Sequence, residues 1–184
     1  VGDLLVTLYV ARHAAVTVKG ICYGQSDVPT AIDDEVAAGA LSAQLATLGV
    51  TVARVWSSPW KRARDPAALL AAHLAVEHDV DERLSEMSFG AWEGRPYAEL
   101  EKEPAFTRWM GDWQTLAPPG GETLEALLER VRAWRDDALL APGDALAVTH
   151  AGIVRALRAR GRAVPFVSVV GEAVGHLEIE RVLI

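Results

Sequence analysis

The segment LLVTLYVARH, residues 4–13, decides how the chain is read. Residues 4–11 put apolar or β-branched side chains on both faces of a pleat, as a strand covered by helices on each side would. The run then stops at Arg12-His13. A polar pair at that point either marks the chain's exit to solvent or forms the floor of a site.

The pattern recurs twice. Ala53 to Ser57 reads as a short strand that breaks at Ser57-Ser58-Pro59, and ALAVTHAG, residues 145–152, is an apolar strand ending in Thr149-His150. Helical periodicity fills the intervals. Asp33-Asp34 offers an N-cap for a helix with Ala37, Leu41, Leu45 and Leu48 on one face and Gly49 as its stop. Pro59 suits the first turn of a helix running through Leu69-Leu70 to Leu74. Asp81 to Gly94 reads as loop. Pro96 opens a helical stretch, disturbed at Pro104, that carries Trp109 and Trp113. Thr123 caps a long helix through Leu127, Val131 and Trp134, ended by Pro142-Gly143, and GIVRALRARG follows the third polar strand end. The tail VGHLEIERVLI alternates like a half-exposed edge strand.

Strands alternating with helices predict an α/β fold: a three-layer α/β/α sandwich with a mostly parallel central sheet, in a single domain over residues 1–184. Ligands of such sheets bind beyond the carboxyl ends of the strands, at a switch in strand order. All three polar pairs occupy ends of that kind, which favours the site over the solvent exit.

Composition narrows the functions. At 184 residues, with 51% hydrophobic and 23% charged, the chain can bury a substantial core. No apolar run approaches the ~20 residues that span a bilayer, and no secretory signal is read at the N-terminus. The net charge of -7 speaks against nucleic-acid binding, so an anionic substrate must be attracted by a local arginine cluster. The single cysteine, Cys22, fits a reducing cytoplasm.

A neutral imidazole is a nucleophile, and guanidinium groups grip phosphate oxygens in bidentate fashion. Neighbouring arginines disfavour protonation of the histidine and leave its ring nitrogen free to attack phosphorus. A departing alkoxide needs a proton, for which RLSEMSFGAWEG, residues 83–94, supplies Glu86 and Glu93. The constellation suggests phosphoryl transfer through a phosphohistidine, with no cofactor and no obligatory metal.

At these residues the chain resembles the histidine phosphatase superfamily, the phosphoglycerate-mutase-like fold. The match runs in order through Arg12-His13, Ser57-Ser58-Pro59-Trp60-Lys61-Arg62-Ala63, Arg83-Leu84-Ser85-Glu86 with Gly90-Ala91-Trp92-Glu93-Gly94, Pro119-Gly120-Gly121-Glu122-Thr123, and Thr149-His150-Ala151-Gly152. The resemblance implies His13 as nucleophile and Glu86 as proton donor and later base. It implies Arg12, Arg62 and His150 as phosphate ligands, with Glu93 a structural carboxylate and Arg64 a surface residue. The stretch Cys22-Tyr23-Gly24-Gln25-Ser26-Asp27-Val28-Pro29 is similar to that of alpha-ribazole-5'-phosphate phosphatases of cobalamin synthesis. The expected activity is therefore a phosphomonoesterase on a small phosphorylated substrate, with a homodimer left open as its assembly. A broad-specificity phosphatase, a mutase and a weakly active phosphate-binding relative are the alternatives.

Two departures carry expectations of their own. Ala14 stands where the family has glycine, which would alter a tight turn or narrow the phosphate pocket. Asp65-Pro66 replaces Gln-Thr, and the proline would remove a helical hydrogen bond and kink the helix bearing Arg62. Of the tryptophans, Trp92, Trp109 and Trp113 fall in the segment expected to roof the site. His73, His78 and His176 show no ligand spacing and read as surface or core residues.

Overall fold

The structure is a computed structural model that describes residues 6–183, so Leu4 and Leu5 of the first expected strand lie outside the described residues. Its central sheet has five strands: β1 (Leu8–Arg12), β2 (Arg54–Ser57), β3 (Glu77–Val80), β4 (Ala145–Thr149) and β5 (Ile179–Arg181). Their spatial order is β3-β2-β4-β1-β5. All neighbours pair in parallel except β5, which runs antiparallel to β1 at the edge, as the alternation of the tail suggested.

The described residues form six α-helices: α1 (Asp34–Leu48), α2 (Lys61–Leu74), α3 (Tyr97–Leu100), α4 (Pro104–Gly111), α5 (Leu124–Ala138) and α6 (Ala151–Gly161). The pleat of β1 sends Leu8 and Val10 to one face, where they pack with Leu127, Val131 and Trp134 of α5 and Ile153 and Leu157 of α6. It sends Ala11 to the other, where Leu41 and Leu45 of α1 and Ala67 and Leu70 of α2 pack against Val55 and Val148. This is the three-layer α/β/α sandwich with a mostly parallel sheet. A smaller apolar cluster of Cys22, Trp92, Leu100 and Phe106 sits apart and supports the segment above the strand ends.

Four local readings are corrected. Strand β3 was not anticipated: its EHDV sequence carries charges on an edge, where Arg54 pairs with both Glu77 and Asp79. Residues 81–94 are not wholly loop but include single 3₁₀ turns at Glu82–Leu84 and Gly90–Trp92. Pro104 does not disturb a helix; it starts α4 at a position where the missing N–H costs nothing, and Trp113 lies beyond that helix. Pro59 precedes α2, whose N-cap is Trp60.

Candidate active site

The order β2-β4-β1 sets the three polar strand ends side by side. Backbone hydrogen bonds stitch them together: the His13 N–H donates to the Thr149 carbonyl at 2.9 Å, and the Ser58 N–H to the Val148 carbonyl at 3.1 Å. Arg12 at the end of β1 is half-buried, and the side chains around it are more so. His13 and Arg62 are each 2% exposed and His150 is 1% exposed.

At the centre stands the Arg62 guanidinium, projected from the first turn of α2. Its Nε donates to His13 Nε2 at 3.3 Å, and its Nη2 reaches His150 Nδ1 at 3.2 Å. Its two Nη atoms are tethered to the Ser26 and Gly24 carbonyls at 2.7 and 2.6 Å, and the Tyr23 ring lies 5.5 Å from its carbon. The two imidazoles meet edge to face with centroids 5.1 Å apart.

The partners fix the tautomers. The Ala14 carbonyl, 2.6 Å from His13 Nδ1, can only accept, so Nδ1 carries the proton and the Nε2 lone pair faces Arg62. For His150 the roles are reversed: Nδ1 accepts from Arg62, and Nε2–H donates to Ser58 Oγ at 2.7 Å. Burial, then the Arg62 charge, pulls the His13 pKa from 6.5 down to about 3. Burial, then His13 and Arg62, pushes His150 well below the ordinary value. Both rings are neutral at neutral pH, and His13 offers an unprotonated nitrogen beside a fixed positive charge.

Arg12, at the end of β1, donates from Nη1 to the Val174 carbonyl at 3.0 Å, while its buried Nε has no partner among the described residues. Glu86 hangs over the strand ends. Its Oε2 accepts from the Gly152 N–H at the start of α6 and its Oε1 from the Met87 N–H, both at 3.0 Å. A Cβ on residue 152 would stand 2.2 Å from Glu86 Oε1, so the carboxylate can rest there only because that position is glycine.

Arg12, His13, Arg62, Glu86 and His150 all line one cavity of about 690 Å³. Arg12, His13, Arg62 and His150 make one part of its lining polar, and Tyr23, Phe89, Trp109, Trp113 and Phe166 make another part aromatic. Of the three tryptophans expected in the roof, Trp109 and Trp113 face the cavity. Trp92 is buried beneath, edge to face with Phe106 and Trp109.

Glu93 and Arg64 fall outside the cavity lining. Both oxygens of Glu93 are occupied by the N–H groups of Gly24, Gln25 and Phe89 and the Ser26 hydroxyl. Burial alone would raise its pKa, but these four donors hold it below the ordinary carboxylate value. Arg64 pairs with Asp65 at the surface.

The two departures are accommodated. Ala14 is buried, its φ lies outside the left-handed region, and its carbonyl makes the bond that orients His13. Helix α2 continues through Pro66, and Arg62 keeps all its side-chain contacts. Sequence reasoning missed three residues. His176, assigned to surface or core, donates from Nδ1 to the His13 carbonyl at 2.8 Å, with the rings 5.7 Å apart. Ser58 holds His150, and Arg130 reaches the Glu86 backbone from α5. A hydroxyl directly after a strand, as in Ser57-Ser58-Pro59, is a signal that could have found Ser58. Nothing local marks the other two.

The family model described as histidine phosphatase superfamily (branch 1) matches residues 8–170. The chain is 30% identical over 183 residues to the adenosylcobalamin/alpha-ribazole phosphatase of Escherichia coli, covering 95% of this chain and 85% of that one. It is 41% identical over 123 residues to a bifunctional protein of Mycobacterium tuberculosis. That match takes in 65% of this chain and 33% of the mycobacterial one, so the chain spans about a third of that relative's length. The crystal structure of the alpha-ribazole phosphatase from Shigella flexneri superposes with a TM-score of 0.84 at 28% identity, over 95% of this chain and 89% of that one.

Proposed function

Since the chain belongs to the histidine phosphatase superfamily, branch 1, we propose that it is a phosphomonoesterase working through a phosphohistidine. The observation that carries this reading is the pairing of an unprotonated His13 Nε2 with the Arg62 Nε–H at the floor of the cavity. The Nε2 lone pair forms the N–P bond as the ester P–O bond breaks. Glu86 delivers its proton to the departing oxygen. Water then attacks phosphorus, Glu86 takes the water proton, and the N–P bond breaks with its electron pair returning to Nε2. Inorganic phosphate leaves. Arg12, Arg62 and His150 hold the phosphoryl oxygens and stabilise the charge that builds on them in both steps. The chain supplies the nucleophile, the acid and base, and the ligands of the phosphoryl oxygens, and the ester and water supply the rest.

Alpha-ribazole 5'-phosphate is the substrate this reading favours. The names of the enterobacterial relatives support it, as does the aromatic wall, which suits a leaving group with a flat base. The residues assigned to these steps all lie within residues 8–170, the part of the chain that the family model matches. The lone cysteine supports a reducing compartment such as the cytoplasm, and no helix among the described residues is long and apolar enough to cross a membrane.

The test is a panel of phosphate monoesters including alpha-ribazole 5'-phosphate and 3-phosphoglycerate, scored for phosphate release by the parent and by His13→Ala. Release that depends on His13, greatest for the ribazole ester, is expected. A parent that releases no phosphate from any ester, or a His13→Ala protein as active as the parent, overturns the proposal.

A further inference from the structure

Helix α5 carries a guanidinium that the reaction as written does not use. Arg130 Nε and Nη2 grip the two oxygens of Glu122 at 2.6 and 2.8 Å. Its Nη1 donates to the carbonyls of Arg83 and Ser85, both at 2.7 Å, and Nη2 also donates to the carbonyl of Glu86 at 3.2 Å. A guanidinium has five N–H groups, and here all five have acceptors. Three of those acceptors are carbonyls of the short stretch that ends in Glu86.

The other half of the clamp is equally determined. Thr123 Oγ1 caps α5 by accepting from the Ala126 N–H at 3.1 Å. That cap fixes where the helix begins, and therefore how Glu122, just before it, faces Arg130 two turns on. Glu122 in turn exchanges hydrogen bonds with Ser88, its N–H donating to the Ser88 carbonyl at 3.0 Å and its Oε2 accepting from the Ser88 N–H at 3.4 Å. The backbone on both sides of Glu86 is thus bound to one ion pair, which is largely shielded from solvent.

We propose that Arg130, paired with Glu122, is a positioning residue that sets the Glu86 carboxyl over the leaving oxygen by holding the backbone of residues 83–86. This deepens the reading of Glu86 as proton donor and rests on it. The planar fork is what does the work. A lysine at 130 would keep the positive charge, which also bears on His150, but its three donors cannot span the carboxylate and three carbonyls.

The experiment compares kcat/KM for two esters. An alkyl phosphate such as glycerol phosphate needs a proton on its leaving oxygen, whereas p-nitrophenyl phosphate expels a stable phenolate without one. Arg130→Lys is expected to lose about tenfold or more on the alkyl ester while changing by no more than about threefold on the aryl ester, following Glu86→Gln in kind. Glu122→Gln, which keeps one acceptor oxygen, is expected to lose less in the same selective pattern. It decides the matter if circular dichroism finds Arg130→Lys unfolded. Equal losses on both esters, or no loss on either, overturn the clamp. If Glu86→Gln itself shows no selectivity for the alkyl ester, the donor reading fails and the clamp with it. If Glu86→Gln is selective and folded Arg130→Lys is not, the clamp alone fails.

Discussion

His13 Nε2 and Arg62 Nε lie 3.3 Å apart, in a contact that only one protonation state of the histidine permits. An imidazolium would turn an N–H towards the guanidinium and set two positive charges together. The arrangement is stable because Ala14 binds the proton on the far nitrogen, leaving the Nε2 lone pair towards Arg62 at the floor of the cavity.

The first prediction concerns pH and stability. His13 titrates near 6.5 when unfolded and near 3 when folded, so between these values the unfolded chain binds more protons. Stability therefore rises with pH across that window, and the contribution present above 6.5 is lost as pH falls towards 3. His150 acts in the same direction. Urea midpoints measured from pH 7 to pH 4 should fall for the parent and fall less for His13→Gln. Parallel curves would remove the claim that the folded site excludes the proton.

Arg62→Lys keeps a charge but loses the tether to Gly24 and Ser26 and the fork between the imidazoles. We expect kcat/KM to drop on the order of a hundredfold, as for loss of a transition-state donor. Arg64→Lys, at an exposed ion pair, should stay within about 0.5 kcal/mol of the parent in stability and keep its activity. Steady-state kinetics and thermal melts on both variants check the contrast.

Gly152→Ala puts a methyl group where a Glu86 oxygen now rests, so the carboxylate must move by an ångström or more. Turnover should fall on the order of a hundredfold, since misplacement on that scale costs about as much. The result to look for is lost kcat in a folded protein that still binds inorganic phosphate. Unchanged kcat would mean that Glu86 does not act from this position.

The tryptophans should separate by location. Trp92→Ala removes a fully buried ring and should cost about 3–5 kcal/mol of stability, read by denaturant unfolding. Trp109→Ala and Trp113→Ala should instead raise KM several-fold for an aromatic ester such as naphthyl phosphate but not for a small alkyl ester, in keeping with about 0.5–1.5 kcal/mol per aromatic pair. Equal KM changes for both esters would show that the wall does not recognise the leaving group.

Much of this was legible because apolar strands that end in polar pairs are a local signal. Arg12-His13, Ser57-Ser58 and Thr149-His150 announced themselves by breaking their own patterns, and the sandwich followed from the spacing between them. What escaped was set by tertiary contact. Strand β3 is written in charged residues because it lies on an edge where Arg54 neutralises Glu77 and Asp79. Arg130 looks like any charged residue on the flank of an amphipathic helix, and the three carbonyls it holds lie 44 to 47 positions away. His176 reaches His13 across 163 residues, through an isolated bridge to Arg12 that no local rule sets. The turn after His13 needs no positive φ at Ala14, and α2 runs on past Pro66 although the proline has no N–H to give the helix.

The place of β4 in the sheet bears on how the protein is made. It lies between β1 and β2, yet it is synthesised about ninety positions after β2, so for most of translation the two early strands have no common neighbour. A ribosome-held chain that stops short of Ala145 can pair β2 with β3 but should leave β1 unprotected against amide exchange, and β1 should become protected once the later segment has emerged. Such distant pairings make for slow assembly, and the enzyme gains its anion pocket only in that last step.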